Sequence, residues 1–384
     1  MFTVENIQAL KELQTPAYVY DLPLLRENVS VALRESQKYG YKIHYAIKAN
    51  NNPRILEELQ KMGLGADCVS GQEIDLAIQS GFRADEVVFA GVGKTDKEIQ
   101  TALKHQIFAF NVESVQELEV IGEWALQLQL PASIALRINP NVDAKTHHYI
   151  TTGLDENKFG ILTHELERCL EIIEGNEYLS FKGLHFHVGS QITDLTVFKR
   201  LCVKVNEWNE WFYERGVKVP VLNLGGGLGV SYEKPDEEAI ATFEEFFGIF
   251  NQFLEPKEHQ EIHFELGRSL VASCGSLLSR VLYIKNGLKK NFAILDAGMT
   301  ELLRPALYQA YHKIECLDGE DAVNRVSYDV VGPICESSDC FGKEVLLPQL
   351  KRGSLMAIRT TGAYGEVMSS RYNLREELTF YFKE

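Results

Sequence analysis

From about Lys42 to Arg268 the chain repeats one pattern, a short apolar run followed by a longer segment with helical apolar spacing. Eight such runs are present: His44 to Lys48, Gly65 to Ser70, Val87 to Ala90, Phe108 to Val112, Ile134 to Asn139, Gly183 to Val188, Val221 to Leu224, and Ile262 to Glu265. The segments between them, such as Asn52 to Met62, Ser70 to Ser80, Ser114 to Leu128 and Leu162 to Glu174, are long enough for crossover helices. Eight strand–helix units predict a (β/α)8 TIM-type barrel over residues 22–268, with an open doubly wound sheet as the competing architecture. After Arg268 the texture changes to Leu277 to Ile284, Asn291 to Leu295, Tyr328 to Val331, Leu355 to Arg359 and Leu378 to Phe382, punctuated by glycine and proline. This predicts a C-terminal, mostly antiparallel β domain over residues 269–384. The alternating run Ala17-Tyr18-Val19-Tyr20-Asp21 is expected to join it, bringing residues 1–21 to that domain.

The chain has 384 residues, 45% of them apolar, enough to bury a sizeable core. Its formal charge of -15 repels nucleic acid and anionic membrane, so neither is an expected partner. No apolar stretch is long enough to span a bilayer, and Met1 to Asn6 lacks the basic start and apolar middle of a signal peptide. The cytoplasm is the expected compartment. Seven cysteines without a CxxC pair suggest neither a disulfide framework nor a zinc knuckle.

In a barrel, catalytic groups gather at the C-terminal ends of the strands. There the sequence places Lys48, His185-Phe186-His187-Val188-Gly189-Ser190-Gln191, Gly225-Gly226-Gly227-Leu228-Gly229 and Glu265-Leu266-Gly267-Arg268. A lysine in a partly dry mouth has a lowered pKa and is a competent nucleophile toward a carbonyl. The glycine run brings backbone N–H groups close to an anion, and with Ser190 and the Gly267-Arg268 amides it could cradle a phosphate. It is not a dinucleotide fingerprint, because Val230 stands where the last glycine is needed, and Gly93-Lys94-Thr95 misses a Walker loop because Val88 replaces its first glycine. His185 and His187 share a strand face and could ligate a metal, yet the other strand ends offer no matching set of imidazoles, so no metal is expected. A neutral His187 stacked on a flat cofactor explains the same residue, with His185 a hydrogen-bonded supporting group. Lysine, phosphate cradle, imidazole and the Glu265 carboxylate together fit pyridoxal 5'-phosphate, whose pyridine nitrogen Glu265 would keep protonated.

These motifs, with Tyr45-Ala46-Ile47-Lys48-Ala49-Asn50, Met299 to Tyr308, Gly332 to Asp339 and Gly362-Ala363-Tyr364, resemble the fold-type III pyridoxal-phosphate decarboxylases. The resemblance covers nearly the whole chain and is greatest to the members acting on meso-diaminopimelate. It implies Lys48 as the covalent attachment point of the cofactor and His187 as the stacking group. Gly226, Gly227, Glu265, Gly267 and Arg268 become cofactor contacts. It further implies Arg268, Arg304, Tyr308, Glu336 and Tyr364 as substrate contacts, Tyr364 also touching the cofactor. Cys335 becomes the proton donor, reaching into the other subunit of a homodimer whose active sites are shared. The implied reaction converts meso-2,6-diaminopimelate into L-lysine and CO2. That substrate carries a zwitterion at each end, which two arginines and Glu336 suit, whereas a cationic tail alone would need only acidic groups. Carboxynorspermidine decarboxylation is the alternative within the family, and a non-catalytic pyridoxal-phosphate-binding regulator the alternative of another class. An alanine racemase would leave Cys335, Glu336 and both arginines without purpose. Leu266 departs from the proline usual in the strand-eight motif and is expected to loosen that turn, and the chain is shorter than many members.

Overall fold

The computed structural model describes residues 4–142, 158–319 and 325–384. Sixteen strands are defined among these: β1 Ala17–Asp21, β2 Lys42–Ala46, β3 Gly65–Cys68, β4 Val87–Phe89, β5 Ala109–Val112, β6 Ala132–Arg137, β7 Leu179–His185 and β8 Val221–Asn223, then β9 Glu261–Leu266, β10 Gly275–Asn286, β11 Asn291–Leu295, β12 Ile314–Cys316, β13 Arg325–Val331, β14 Cys340–Pro348, β15 Leu355–Ile358 and β16 Thr379–Lys383.

Strands β2 to β9 form a closed barrel in sequence order, every neighbouring pair parallel. Closure comes from β2 beside β9, with Lys42 opposite His263 and Tyr45 opposite Leu266. A closed barrel rather than an open sheet is therefore the architecture. Helix starts are written into the βα loops: Ser70, Thr95 and Ser114 each accept a hydrogen bond from the backbone N–H three residues on. The helix Phe243–Phe253 shows how the barrel is jacketed, since Phe243, Phe246, Phe247 and Phe250 form one stripe at helical spacing. Phe246, Phe247 and Phe250 meet Phe264 of β9 with ring centroids 4.8 to 5.5 Å apart, worth about 0.5–1.5 kcal/mol per pair beyond burial.

Two compact units are present. The barrel unit comprises residues 29–229 and 242–267; the β-rich unit comprises 1–28, 230–241 and 268–384. A barrel spanning 22–268 without interruption thus differs from the structure in three places. Residues 22–28 and 230–241, expected in the barrel, group with the β-rich unit, as does Arg268 itself. The β-rich sheet runs β12-β15-β10-β11-β13-β14, with β1 on β10 and β16 beyond β1. It is mostly antiparallel, the parallel pairs being β1 with β16 and β11 with β13. Val19, Leu278, Leu355 and Ala357 pack with Leu10 in its core. Across the β1–β16 pair Tyr20 stacks on Phe382 and Tyr18 meets Phe380 at a tilt.

Candidate active site

Lys48 does not lie on a strand. β2 ends at Ala46, and Ile47–Ala49 is a single 3-10 turn that carries the lysine beyond the strand end. The turn lets Ile47 and Ala49 bury while Lys48 keeps 36% of its side chain exposed. Its Nζ donates to Oδ2 of Asp67 on β3 at 2.9 Å, and Asp67 is fully buried. Burial, with Glu265 nearby, pushes the Asp67 carboxyl up to about 7 although Lys48 pulls the other way. The Asp67 carboxyl therefore gains or loses its proton near neutrality beside the Lys48 amine.

Glu265, on β9, is surrounded by donors from three other strands. Nδ2 of Asn111 and Nδ2 of Asn223 donate to its Oε1 at 2.9 and 2.7 Å, and Nε2 of His185 donates to Oε2 at 2.9 Å. Burial alone would raise this carboxyl, but His185, Lys48 and His187 outweigh it and hold Glu265 well below the usual carboxylate range. Three of about four acceptor positions are filled, and the charge is locked in place. His187 accepts the N–H of Gly226 at Nδ1, 3.3 Å away, so its proton resides on Nε2. Burial, reinforced by Arg137 and Lys48, holds this imidazole well below its ordinary value and hence neutral. Ser190 follows on the same loop.

The turn after β8 requires glycine. Gly225 and Gly227 have φ of +64° and +112°, where a side chain is strained. A Cβ on Gly226 would overlap the carbonyl oxygen of Glu265. Leu266 continues β9 opposite Tyr45 and is buried. A Cβ on the following Gly267 would lie 2.9 Å from that of Ala49. The turn is close-packed, contrary to the loosening expected where leucine replaces proline.

The other expected residues belong to the β-rich unit. Arg268 donates to the Tyr232 hydroxyl at 2.7 Å and stands over the Tyr364 ring at 4.7 Å. Tyr364 itself has φ of +55°, a conformation costly for an aromatic residue and found where the surroundings over-determine it. Arg304 opens the short helix Arg304–Tyr308, faces the Tyr232 ring at 4.8 Å, and donates to Nε2 of His312 at 2.8 Å. Burial would raise the Tyr232 phenol, yet Arg268 and Arg304 pull it below its ordinary value. Tyr308 ends that helix, half-buried. Cys335 is exposed, its N–H donating to Oδ1 of Asn373, and the exposed Glu336 accepts from the Tyr372 hydroxyl. Their loop is tied by Asp339, whose carboxylate accepts the N–H groups of Met299 and Ile334.

The barrel unit thus gathers Lys48, His187, Glu265 and the glycine turn, and the β-rich unit gathers Arg268, Arg304 and Tyr364 around Tyr232. Asp67, Asn111, Asn223, Tyr232 and His312 were not singled out from sequence. An Asp or Asn inside short apolar strands is the available signal for the first three; Tyr232 and His312 carry none. The barrel residues fit pyridoxal phosphate: an amine with an adjacent proton acceptor, a carboxylate kept ionised, a neutral imidazole, and a backbone turn that a Cβ would fill.

Residues 26–272 match the family described as pyridoxal-dependent decarboxylase, pyridoxal binding domain. Diaminopimelate decarboxylase of Bacteroides thetaiotaomicron is 52% identical over 371 residues, covering 96% of each chain. That of Aquifex aeolicus is 39% identical over 96% of this chain and 87% of its own. The crystal structure of the Helicobacter pylori diaminopimelate decarboxylase complexed with L-lysine superposes with a TM-score of 0.92 at 40% identity, covering 98% of this chain and 93% of that one. The residues around Lys48 and Glu265 and these likenesses agree, and the chain belongs to the pyridoxal-dependent decarboxylases, within the diaminopimelate decarboxylase family.

Proposed function

We propose that this chain decarboxylates meso-2,6-diaminopimelate to L-lysine and CO2. Pyridoxal phosphate, when bound, supplies the electron sink that accepts the pair left at Cα. Lys48 is the amine that holds it covalently, and Asp67 accepts and returns the Nζ proton. Glu265, kept ionised by His185, Asn111 and Asn223, would hold the proton on the ring nitrogen, and the neutral His187 would offer its face to the ring. The glycine turn, with Ser190, Gly267 and Arg268, binds the phosphate, and Tyr364 contacts both cofactor and substrate.

The substrate assignment rests most on Arg304. It is 6% exposed, and among the described residues its partners are the Tyr232 phenol and the His312 imidazole. Arg359, 4% exposed, is by contrast met by Asp236 and Glu315 at 2.6 and 2.7 Å. A buried guanidinium without a carboxylate awaits an external one. The carboxylate at the non-reacting end of diaminopimelate supplies it; ornithine and carboxynorspermidine offer only cationic tails. Arg268, Tyr308 and Glu336 complete the recognition of that end, Glu336 taking its ammonium. Cys335 gives the proton to Cα, and its exposure suits service to the partner's site in a homodimer. Seven free cysteines suit a reducing compartment, the cytoplasm. CO2 release from meso-diaminopimelate, ornithine and carboxynorspermidine by the loaded enzyme tests the reading. Turnover confined to the first is expected, and equal or greater turnover of either other amine would refute it.

A further inference from the structure

A histidine with no assigned role stands behind Arg304. His312 is 2% exposed, and each of its ring nitrogens has one partner: Nδ1 meets the carbonyl oxygen of Arg359 at 2.8 Å, and Nε2 meets Nη1 of Arg304 at 2.8 Å. These partners fix its tautomer without ambiguity. A carbonyl oxygen only accepts, so Nδ1 carries the proton; a guanidinium only donates, so Nε2 presents its lone pair. Burial and the charges of Arg304 and Arg268 push this imidazole down to about 3, which keeps Nε2 an acceptor throughout the working range. Its ring also packs edge-on against Tyr232, centroids 5.0 Å apart, and the Tyr232 ring in turn faces the Arg304 guanidinium.

We propose that His312 is a positioning residue for carboxylate recognition: it fixes the Arg304 guanidinium in the one orientation that presents its remaining N–H groups to the substrate's non-reacting carboxylate. The chain of support runs further. The Arg359 carbonyl that anchors His312 belongs to a residue whose own guanidinium is clamped by Asp236 and Glu315, with Lys313 2.7 Å from Glu315. Arg359 is therefore an immobile base, His312 a rigid spacer, and Arg304 the group that meets substrate. A neutral spacer matters as much as a rigid one. A carboxylate in the place of His312 would hold Arg304 equally well, but it would neutralise the charge that the substrate must find. The imidazole fixes direction and leaves the charge unspent.

This inference rests on the proposed function, and its test separates the two. Holoenzyme of the wild type, His312→Phe and His312→Gln is assayed for kcat and KM with meso-diaminopimelate. Inhibition constants are measured for L-lysine and for cadaverine, which lacks only the carboxylate. Loss of a buried hydrogen bond to a charged group should weaken carboxylate-bearing ligands by about 10-fold or more. For His312→Phe, KM and the L-lysine constant should both rise by that factor, while kcat and the cadaverine constant stay within about 3-fold. His312→Gln, whose amide can both accept from Arg304 and donate to the Arg359 carbonyl, should recover much of the loss. Equal weakening of L-lysine and cadaverine, or no recovery with glutamine when both variants load cofactor normally, overturns the positioning role. A wild-type enzyme that releases no CO2 from meso-diaminopimelate overturns the substrate reading, and this one with it.

Discussion

Asp67 shows how one buried carboxyl can set the chemistry of its neighbour. With no exposed surface and a carboxyl pushed up to about 7, it costs folding free energy when ionised, and the Lys48 ammonium at 2.9 Å offsets part of that cost. In the proposed role Lys48 would have to be a neutral amine to hold the cofactor, and Asp67, 2.9 Å away, would accept its proton. Cofactor loading should therefore rise with pH and level off above about 7, where Asp67 is ionised. Asp67→Asn should slow loading roughly 100-fold at neutral pH, followed as the absorbance that appears when apoenzyme and cofactor are mixed between pH 6 and 9. An unaltered pH profile in the variant would remove Asp67 from this role. That Lys48, His187 and Glu265 would lie near one another was legible because residues at strand ends converge in any barrel. The groups that set their ionisation were not, since Asn111 and Asn223 find Glu265 across 154 and 42 residues of sequence, and no local pattern encodes such a meeting.

Among the elements, the strand–helix period was readable throughout the barrel because each unit buries one face at a fixed spacing. Lys48 was misplaced on a strand because Tyr45-Ala46-Ile47-Lys48 alternates plausibly, whereas the chain turns once Ile47 and Ala49 can both bury. In the β-rich unit, β12 has only three residues, and β14 holds Lys343 and Glu344, the latter at φ of +54°. That irregularity breaks the alternation on which strand recognition depends. The glycine turn after β8 is the element on whose geometry the proposed phosphate site depends most. Gly226→Ala would force apart the β8 turn and the Glu265 backbone, because the added Cβ overlaps that carbonyl. A loss of about 1–3 kcal/mol is expected, with weaker cofactor retention. Gly93, where nothing lies within 4 Å of a Cβ and φ is not positive, is the control. Gly93→Ala should leave denaturant midpoint and cofactor affinity near those of the wild type, and similar losses in both variants would show the turn has no special status.

At the scale of the molecule, buried neutral histidines set the acid limit. Burial first, and neighbouring positive charge second, push His263 and His312 down to about 3 from the ordinary imidazole value of 6.5. The unfolded chain binds their protons where the folded chain does not, so stability falls as pH drops from 6.5 toward 3. Asp67 acts oppositely, gaining its proton in the folded state first and favouring folding as pH falls through about 7. Urea midpoints between pH 7 and 4 should nevertheless decline: His44 and His187 are lowered along with His263 and His312, and the further raised acids, Glu73, Glu117, Glu301 and Asp339, are shifted less than Asp67.

The assembly is the largest unit to which the proposal extends. If Cys335 protonates Cα in the partner's site, each active site draws Lys48 from one chain and Cys335 from the other. Lys48→Ala and Cys335→Ala homodimers each then have two defective sites. In a mixed dimer one site combines the mutated Lys48 and Cys335, and the other combines the intact pair. Random reassortment of equal amounts makes half of all dimers mixed, each with one working site, so roughly a quarter of wild-type activity should return. The recovery should grow with time and with mild denaturant, as subunits exchange. If Cys335 serves Lys48 of its own chain, mixing restores nothing, because every site then retains one defect. Activity that stays at the sum of the separate variants, in a mixture shown by mass to contain mixed dimers, would therefore refute the shared site and leave the chemistry to a single chain.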